Sequence, residues 1–464
     1  MASISSPGLG SGLDINGIIA KLMQVEAQPL KAMASKEASY QAKLSAFGSL
    51  KGALAGLQTA AQTLKNASTF TGMSATSSDS SLFSVSATSA ATAGSYDIGV
   101  TTLAKANSLR TNVDYGTDTF DSGILRITVG TGTPKDISLT GTNSLSGIRD
   151  AVNNANAGVT ATIINDGTAE RLVLTSNTTG AAGAITVAAP TTNNDGTRRL
   201  ADLIGGNLTT TQAATDAVLT INGITITRSS NTIDDAIGGV TLKLQKEPAQ
   251  TLPITPLTAK LTVAQNTGSI TTAINAFVKA YNDAMGQIKS MTAYDAANKK
   301  ASVLTGDSTA RSVQSQLSGL LGTSVGGLAG GISRLSDIGI SVQTDGTLAF
   351  NASKLTTALS DKKDVASLFT QTTSGNQGIA VRFSNLLDGI VGSSGLIASR
   401  TDGINASIKD IQRRGEAFQN RLVQIESRYR KQFSALDSLI SSMNQTSTYL
   451  AQQLANLPGA TPNK

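Results

Sequence analysis

The chain has no cysteine and no histidine, and these two absences remove much chemistry at the outset. Without Cys there is no disulfide scaffold, no thiolate metal site and no cysteine nucleophile. Without His the commonest general base and the commonest imidazole ligand are missing, so Ser-His-Asp and zinc hydrolysis are excluded. Catalysis would have to run on carboxylates, Lys, Tyr or Ser–Lys pairs. The balance points to a structural or binding protein without cofactor. Tryptophan is absent too, aromatics are 4% and charged residues 15%, against roughly 25% in ordinary globular domains. No run approaches the ~18 apolar residues of a membrane helix, so membrane insertion is not expected. Met1 to Gly8 offers neither a basic n-region nor an apolar h-region. The expectation is a chain that stays in the cytoplasm or leaves by a route needing no cleavable signal.

What is present is 464 residues rich in Gly, Ala, Ser, Thr and Leu. That length allows two to four domains at ~100–200 residues each. The net charge of +6 sits at the ends. Residues 1–75 hold six Lys against three acids, and 401–464 hold eight basic residues against five, while the middle balances at 23 against 23. No dense basic stripe interleaves with aromatics, so nucleic acid is not an expected partner.

Helical periodicity marks both ends. Apolar residues recur at Leu13, Ile15, Ile18, Ile19, Leu22 and Val25, break at Gln28-Pro29, and resume from Leu30 through Leu50 to Leu64. After residue 75, Ser/Thr-rich stretches with β-branched residues and the turn pairs Asp166-Gly167 and Asn222-Gly223 predict β-hairpins. Two segments echo one another. Gly123 to Val129, Asn143 to Val152 and Gly158-Val159-Thr160 read as strand, capped helix, strand; Ala217 to Ile226, Asn231 to Ile237 and Gly239-Val240-Thr241 give the same reading. From Pro256 to Pro458 there is no proline, and helices are predicted around 270–281, 311–321, 355–359 and 365–369. The strongest pattern is the last, from Ile404 through Phe418, Leu422, Ile425, Tyr429, Phe433, Leu436, Ile440, Met443, Leu450 and Leu454 to Leu457. Its steps of three and four predict one helix of ~80 Å at 1.5 Å per residue. An apolar seam that long must be covered by other elements or other chains. Beyond Phe433 the expected cover is another subunit.

Several local patterns have simple readings. Gly8-Leu9-Gly10-Ser11-Gly12 lacks a preceding strand and a following Gly-Lys-Ser, and reads as a lead-in to a helix capped by Asp14. Asp295, Asp307 and Asp345 lack the spacing of a calcium loop; Asp307 reads as a helix cap and Asp345-Gly346 as a turn. Asp234-Asp235 reads as first-turn acids of a short helix, not a glycosidase pair. The basic cluster Arg413, Arg414, Arg421, Arg428, Arg430 and Lys431 is either a solvated face near Glu416 and Glu426 or a charge-pairing surface for another subunit.

Five segments, in order, carry a family resemblance. Gly8 to Met23 with Glu26-Ala-Gln-Pro29, Tyr294-Asp295, Gly306-Asp307-Ser308-Thr309, Leu335 to Leu348, and Glu426 to Asp437 with Tyr449 to Leu454 together resemble bacterial flagellar filament-capping proteins, the flagellar hook-associated protein 2 family. The resemblance covers about half of the chain. It implies an α+β multidomain fold: a coiled-coil terminal base from 1–40 and 412–464, a helical leg from 41–75 and 262–411, a β-rich head from 76–104 and 206–261, and a second β-rich head at 105–205 inserted in the first. It implies a non-enzymatic cap subunit at the outer tip of the filament, extracellular, exported unfolded and assembled as a ring that retains flagellin. Its partners would be further copies, flagellin, hook-filament junction proteins, the export apparatus and a cytoplasmic chaperone at the C-terminus. The contact candidates are Leu13, Ile18, Leu22, Phe433, Leu436, Ile440, Met443, Leu450 and Leu454, with Arg421 and Arg428. The alternatives are another axial protein (a flagellin or junction protein) or a surface adhesin on a coiled-coil stalk; exposed heads could also add adhesion to capping.

Overall fold

The computed structural model describes residues 12, 14–141, 143–204, 206–251, 253–361 and 363–455. Its helices run α1 Ile15–Glu26, α2 Gln28–Lys65, α3 Ser68–Thr71, α4 Leu145–Ala155, α5 Thr267–Thr292, α6 Ser308–Leu321, α7 Ala352–Ser360, α8 Val365–Thr370, α9 Ile379–Val391 and α10 Leu396–Ala455. The chain divides into two compact units, Met1–Ala67 with Ile270–Lys464, and Ser68–Ser269.

The first unit is helical. The expected break falls between α1 and α2, with Pro29 in the first turn of α2, where its missing N–H costs nothing. Asp14 caps α1 by accepting from the Gly17 amide at 2.8 Å. In α2 the steps Phe47, Leu50, Leu54, Leu57, Ala61 and Leu64 bury one face, and before Ala46 no residue of this helix is buried. That face packs with α9 and α10. Phe383 of α9 stands edge-on to Phe277 and Tyr281 of α5, with ring centroids 5.1 Å and 6.3 Å away. Asp307 caps α6 as its sequence context predicts, accepting from the amides of Thr309 and Ala310. It also holds the Arg400 guanidinium of α10 at 2.7 Å, which ties the start of the longest helix to the leg core. Asp345 accepts from Thr347 in the turn of the hairpin Ile340–Val342 and Leu348–Phe350.

The second unit holds two hydrophobic cores. A five-stranded antiparallel sheet in the order 73–77, 257–265, 94–102, 217–221 and 224–228 shares its core with a three-stranded sheet of 232–237, 240–244 and 83–87. Phe83, Ile98, Val100, Leu219, Leu242 and Leu261 are fully buried there. The second core lies among a four-stranded sheet (208–212, 106–111, 170–179, 159–165), a three-stranded sheet (185–192, 123–129, 135–139) and α4. Its strand 208–212 pairs with 106–111, which closes the inserted segment on itself. Asn222-Gly223 forms the two-residue hairpin turn, with φ of 50° and 83° as the left-handed turn demands.

One expectation needs correction. The echo is real in its first copy, where Ser144 caps α4 by accepting from Gly147. In the second copy residues 232–237 form a strand, so Asp234 and Asp235 are not first-turn acids. Asp235 instead pairs with Arg228 at 3.0 Å. Ile233 and Ile237 are four apart, a spacing that suits one helix face and one strand face equally. Asn231 breaks the tie: its side chain exchanges two hydrogen bonds with the backbone of Ala104, at 2.7 Å and 2.8 Å, and so is not free to cap a helix.

Candidate functional site

The terminal helices α1, α2 and α10 form a stalk in the first unit. On α10, Ile397, Ile404, Ile411, Leu422 and Ile425 are buried; beyond Ile425 no described residue of the helix is. At Gly415 the stripe faces α2: a Cβ there would stand 3.9 Å from Leu30, an ordinary packing contact. Gln412 donates to Glu37 at 2.7 Å. Lower down, Ile15 and Ile19 of α1 are buried and share with α10 an open groove of about 820 Å³, floored by Val423, Ser427, Ser434 and Ser438. Tyr429 donates to Glu26 at 3.0 Å and Arg430 to Asn16 at 3.3 Å, which pin both ends of α1 to α10. The Glu26 carboxylate beside it pushes the Tyr429 phenol above its usual range.

The candidate residues fall into three groups. Ile18, Phe433 and Ile440 are half-buried. Leu22, Leu436, Met443, Leu450 and Leu454 are exposed, the last four at 42%, 63%, 53% and 61%. Leu13 lies outside the described residues. From Phe433 the pattern is a regular heptad, with Phe433, Ile440, Ser447 and Leu454 in one core row and Leu436, Met443 and Leu450 in the other. Asp437 is the one charged residue between Gln432 and Ala455. Covering each exposed Leu or Met would contribute roughly 1 kcal/mol.

In the basic cluster, Arg413 and Arg414 pair with Asp410 at 2.5 Å and 2.7 Å, and Arg430 pairs with Glu426 at 2.6 Å. Arg421 and Arg428 are exposed and make no ion pair among the described residues. Sequence reasoning passed over Val423, 67% exposed beside the stripe. It also passed over Asp410 as the partner of two arginines, although its spacing of three and four to Arg413 and Arg414 was a usable signal.

Among the described residues no group of three acidic side chains could hold a metal ion, and no helix is long and apolar enough to cross a membrane. A helical unit with an exposed apolar seam, interrupted in sequence by a two-core β unit, is the α+β multidomain architecture of a structural assembly subunit. Comparison with known proteins names the family. The family described as "Flagellar hook-associated protein 2 C-terminus" matches residues 214–445, its N-terminus counterpart matches 11–107, and the "Flagellin hook IN motif" matches 125–178. Flagellar hook-associated protein 2 of Escherichia coli K12 is 37% identical over 98% of this chain and 99% of its own length. The A-type flagellar hook-associated protein 2 of Pseudomonas aeruginosa is 32% identical over 97% of each. The crystal structure of the flagellar cap protein FliD D1-D2-D3 domains from Escherichia coli covers 78% of this chain and 99% of that one, at 36% identity and a TM-score of 0.57. The chain belongs to the flagellar hook-associated protein 2 family.

Proposed function

We propose that this chain is the structural cap subunit at the outer tip of the bacterial flagellar filament, outside the cell, where it retains exported flagellin and promotes its polymerisation. The observation that carries the reading is the seam of Leu436, Met443, Leu450 and Leu454, left exposed on a helix of 60 residues in a member of this family. Exposed leucines at heptad spacing cost solubility unless another chain covers them. Copies of the chain assemble as a ring, and the terminal helices supply contacts to other subunits and to flagellin. The chain works without catalysis: binding and position do the work. The partition we propose is a terminal base of 1–40 and 412–464, a leg of 41–75 and 262–411, and two heads, at 76–104 with 206–261 and at 105–205, except that strand 208–212 goes with the second head, whose sheet it joins. Export delivers it, with a chaperone at the C-terminal helix, to a site next to hook-filament junction proteins.

The test uses Leu436→Ser, Met443→Ser and Leu450→Ser together. These side chains are exposed, so folding should survive, checked by an unchanged thermal melt. In a strain lacking its own copy, the wild-type chain restores swimming; the triple variant should leave flagellin monomers in the medium and fail to restore it. Normal swimming from the variant, with no flagellin shed to the medium, would overturn the reading.

A further inference from the structure

We infer that the cationic flank of the stalk makes its seam selective for an acidic helical protein partner over a second copy of the same stalk. The inference rests on the seam being an assembly surface, as proposed above, and adds the chemistry of what covers it. Residues 15–51 and 409–455 carry twelve Lys and Arg, five on the first two helices and seven on α10, against two and four acidic residues. That excess of six equals the net charge of the entire chain, so the remainder is neutral.

Most acids of the stalk are already engaged. Asp410 holds two arginines and Glu426 holds Arg430. Glu37 accepts from Gln412, and Glu26 accepts from Tyr429. Arg421, Arg428 and Lys431 are exposed and form no ion pair among the described residues. Seven and three residues apart, they form one row on the helix beside the stripe of Leu422, Ile425 and Tyr429. Arg428 and Lys431 border a depression with the exposed Val423, and Lys431 also borders the groove shared with α1. The groove floor of Ser427, Ser434 and Ser438 leaves holes that suit knobs from a helix.

Flanking charges decide which helix fits such a seam. A parallel copy would bring its own Arg421, Arg428 and Lys431 against these. The acid it could offer Arg421, Glu426 five residues on, is held by its own Arg430. A partner helix with carboxylates along its flanks meets no such conflict and pairs with all three cations. Below Lys431 the flanks of the exposed seam are almost uncharged, so selection is made where the seam runs up into the groove, between Arg421 and Lys431.

The test titrates the full-length chain with two labelled four-heptad peptides, both with Leu in the core rows, one with Glu and one with Lys at the flanking positions. At low salt the Glu peptide should bind at least about tenfold tighter, and the gap should narrow at high salt as the charges are screened. The variant R421E/R428E/K431E should invert the preference with an unchanged helical melt. Equal affinities, a preference for the Lys peptide, or self-association of the chain that strengthens as salt is lowered would overturn the inference. So would displacement of the Glu peptide by duplex DNA or by vesicles of half phosphatidylglycerol. If the peptides bind equally while the seam variant still leaves flagellin monomers in the medium, this inference fails and the capping reading stands.

Discussion

Asp307 shows how much one side chain can hold. It is 3% exposed, caps α6 and grips Arg400 of α10. Burial pushes its carboxyl up, but the Arg400 guanidinium and the amides of Ala310 and Thr309 outweigh this and hold it below the ordinary 3.8. A carboxylate with a depressed folded pKa contributes stability that is fully present above its unfolded value and is lost as pH falls through the folded one. Asp307→Asn should therefore cost about 1–2 kcal/mol near neutrality. In urea unfolding, the gap between wild type and variant should close as pH drops below about 4; a gap that stays constant would refute the linkage. The cap itself was legible in Gly306-Asp307-Ser308. The tie to Arg400, 93 residues away, was not, because nothing in local sequence marks a tertiary ion pair.

At the scale of the element, α10 divides at Ile425, the last buried position among its described residues. Helices without tertiary packing open easily, because propensity alone barely sustains them. Amides of 397–425 should exchange slowly in dilute monomer and those of 432–455 quickly, the latter gaining protection on assembly. Strong protection of 432–455 in the monomer would contradict the exposed seam. The length and stripe of this helix were readable because apolar steps of three and four, sustained over many turns, line up on one face of a helix and scatter over both faces of a strand. The α1–α2 break was readable because proline has a fixed local effect. Residues 232–237 were misread because Ile233 and Ile237 satisfy both periods and because Asn231 serves a neighbouring strand instead of its own segment. The division of labour in the basic cluster was half legible: its crowding was visible, but which cations are spent on Asp410 and Glu426 depends on rotamers.

For the whole molecule, residues 68–269 hold both β cores without borrowing from the helical unit. Expressed alone, this segment should fold, give dispersed amide resonances and unfold cooperatively; a collapsed, poorly dispersed spectrum would show that it needs the helices. Its strands were legible as a class, but their partners were not, since the closing strand 257–265 lies some 180 residues from its neighbour 73–77. That pairing has a practical consequence. Met73 lies opposite Gln265, and the Asn266 amide donates to the Gly72 carbonyl at 2.9 Å. The chain therefore passes into and out of this unit through a single two-stranded doorway. Everything past the doorway can be lengthened, shortened or exchanged for another β module while the two strands of the doorway stay paired. A lineage can redesign the β unit while the helical unit keeps the same socket.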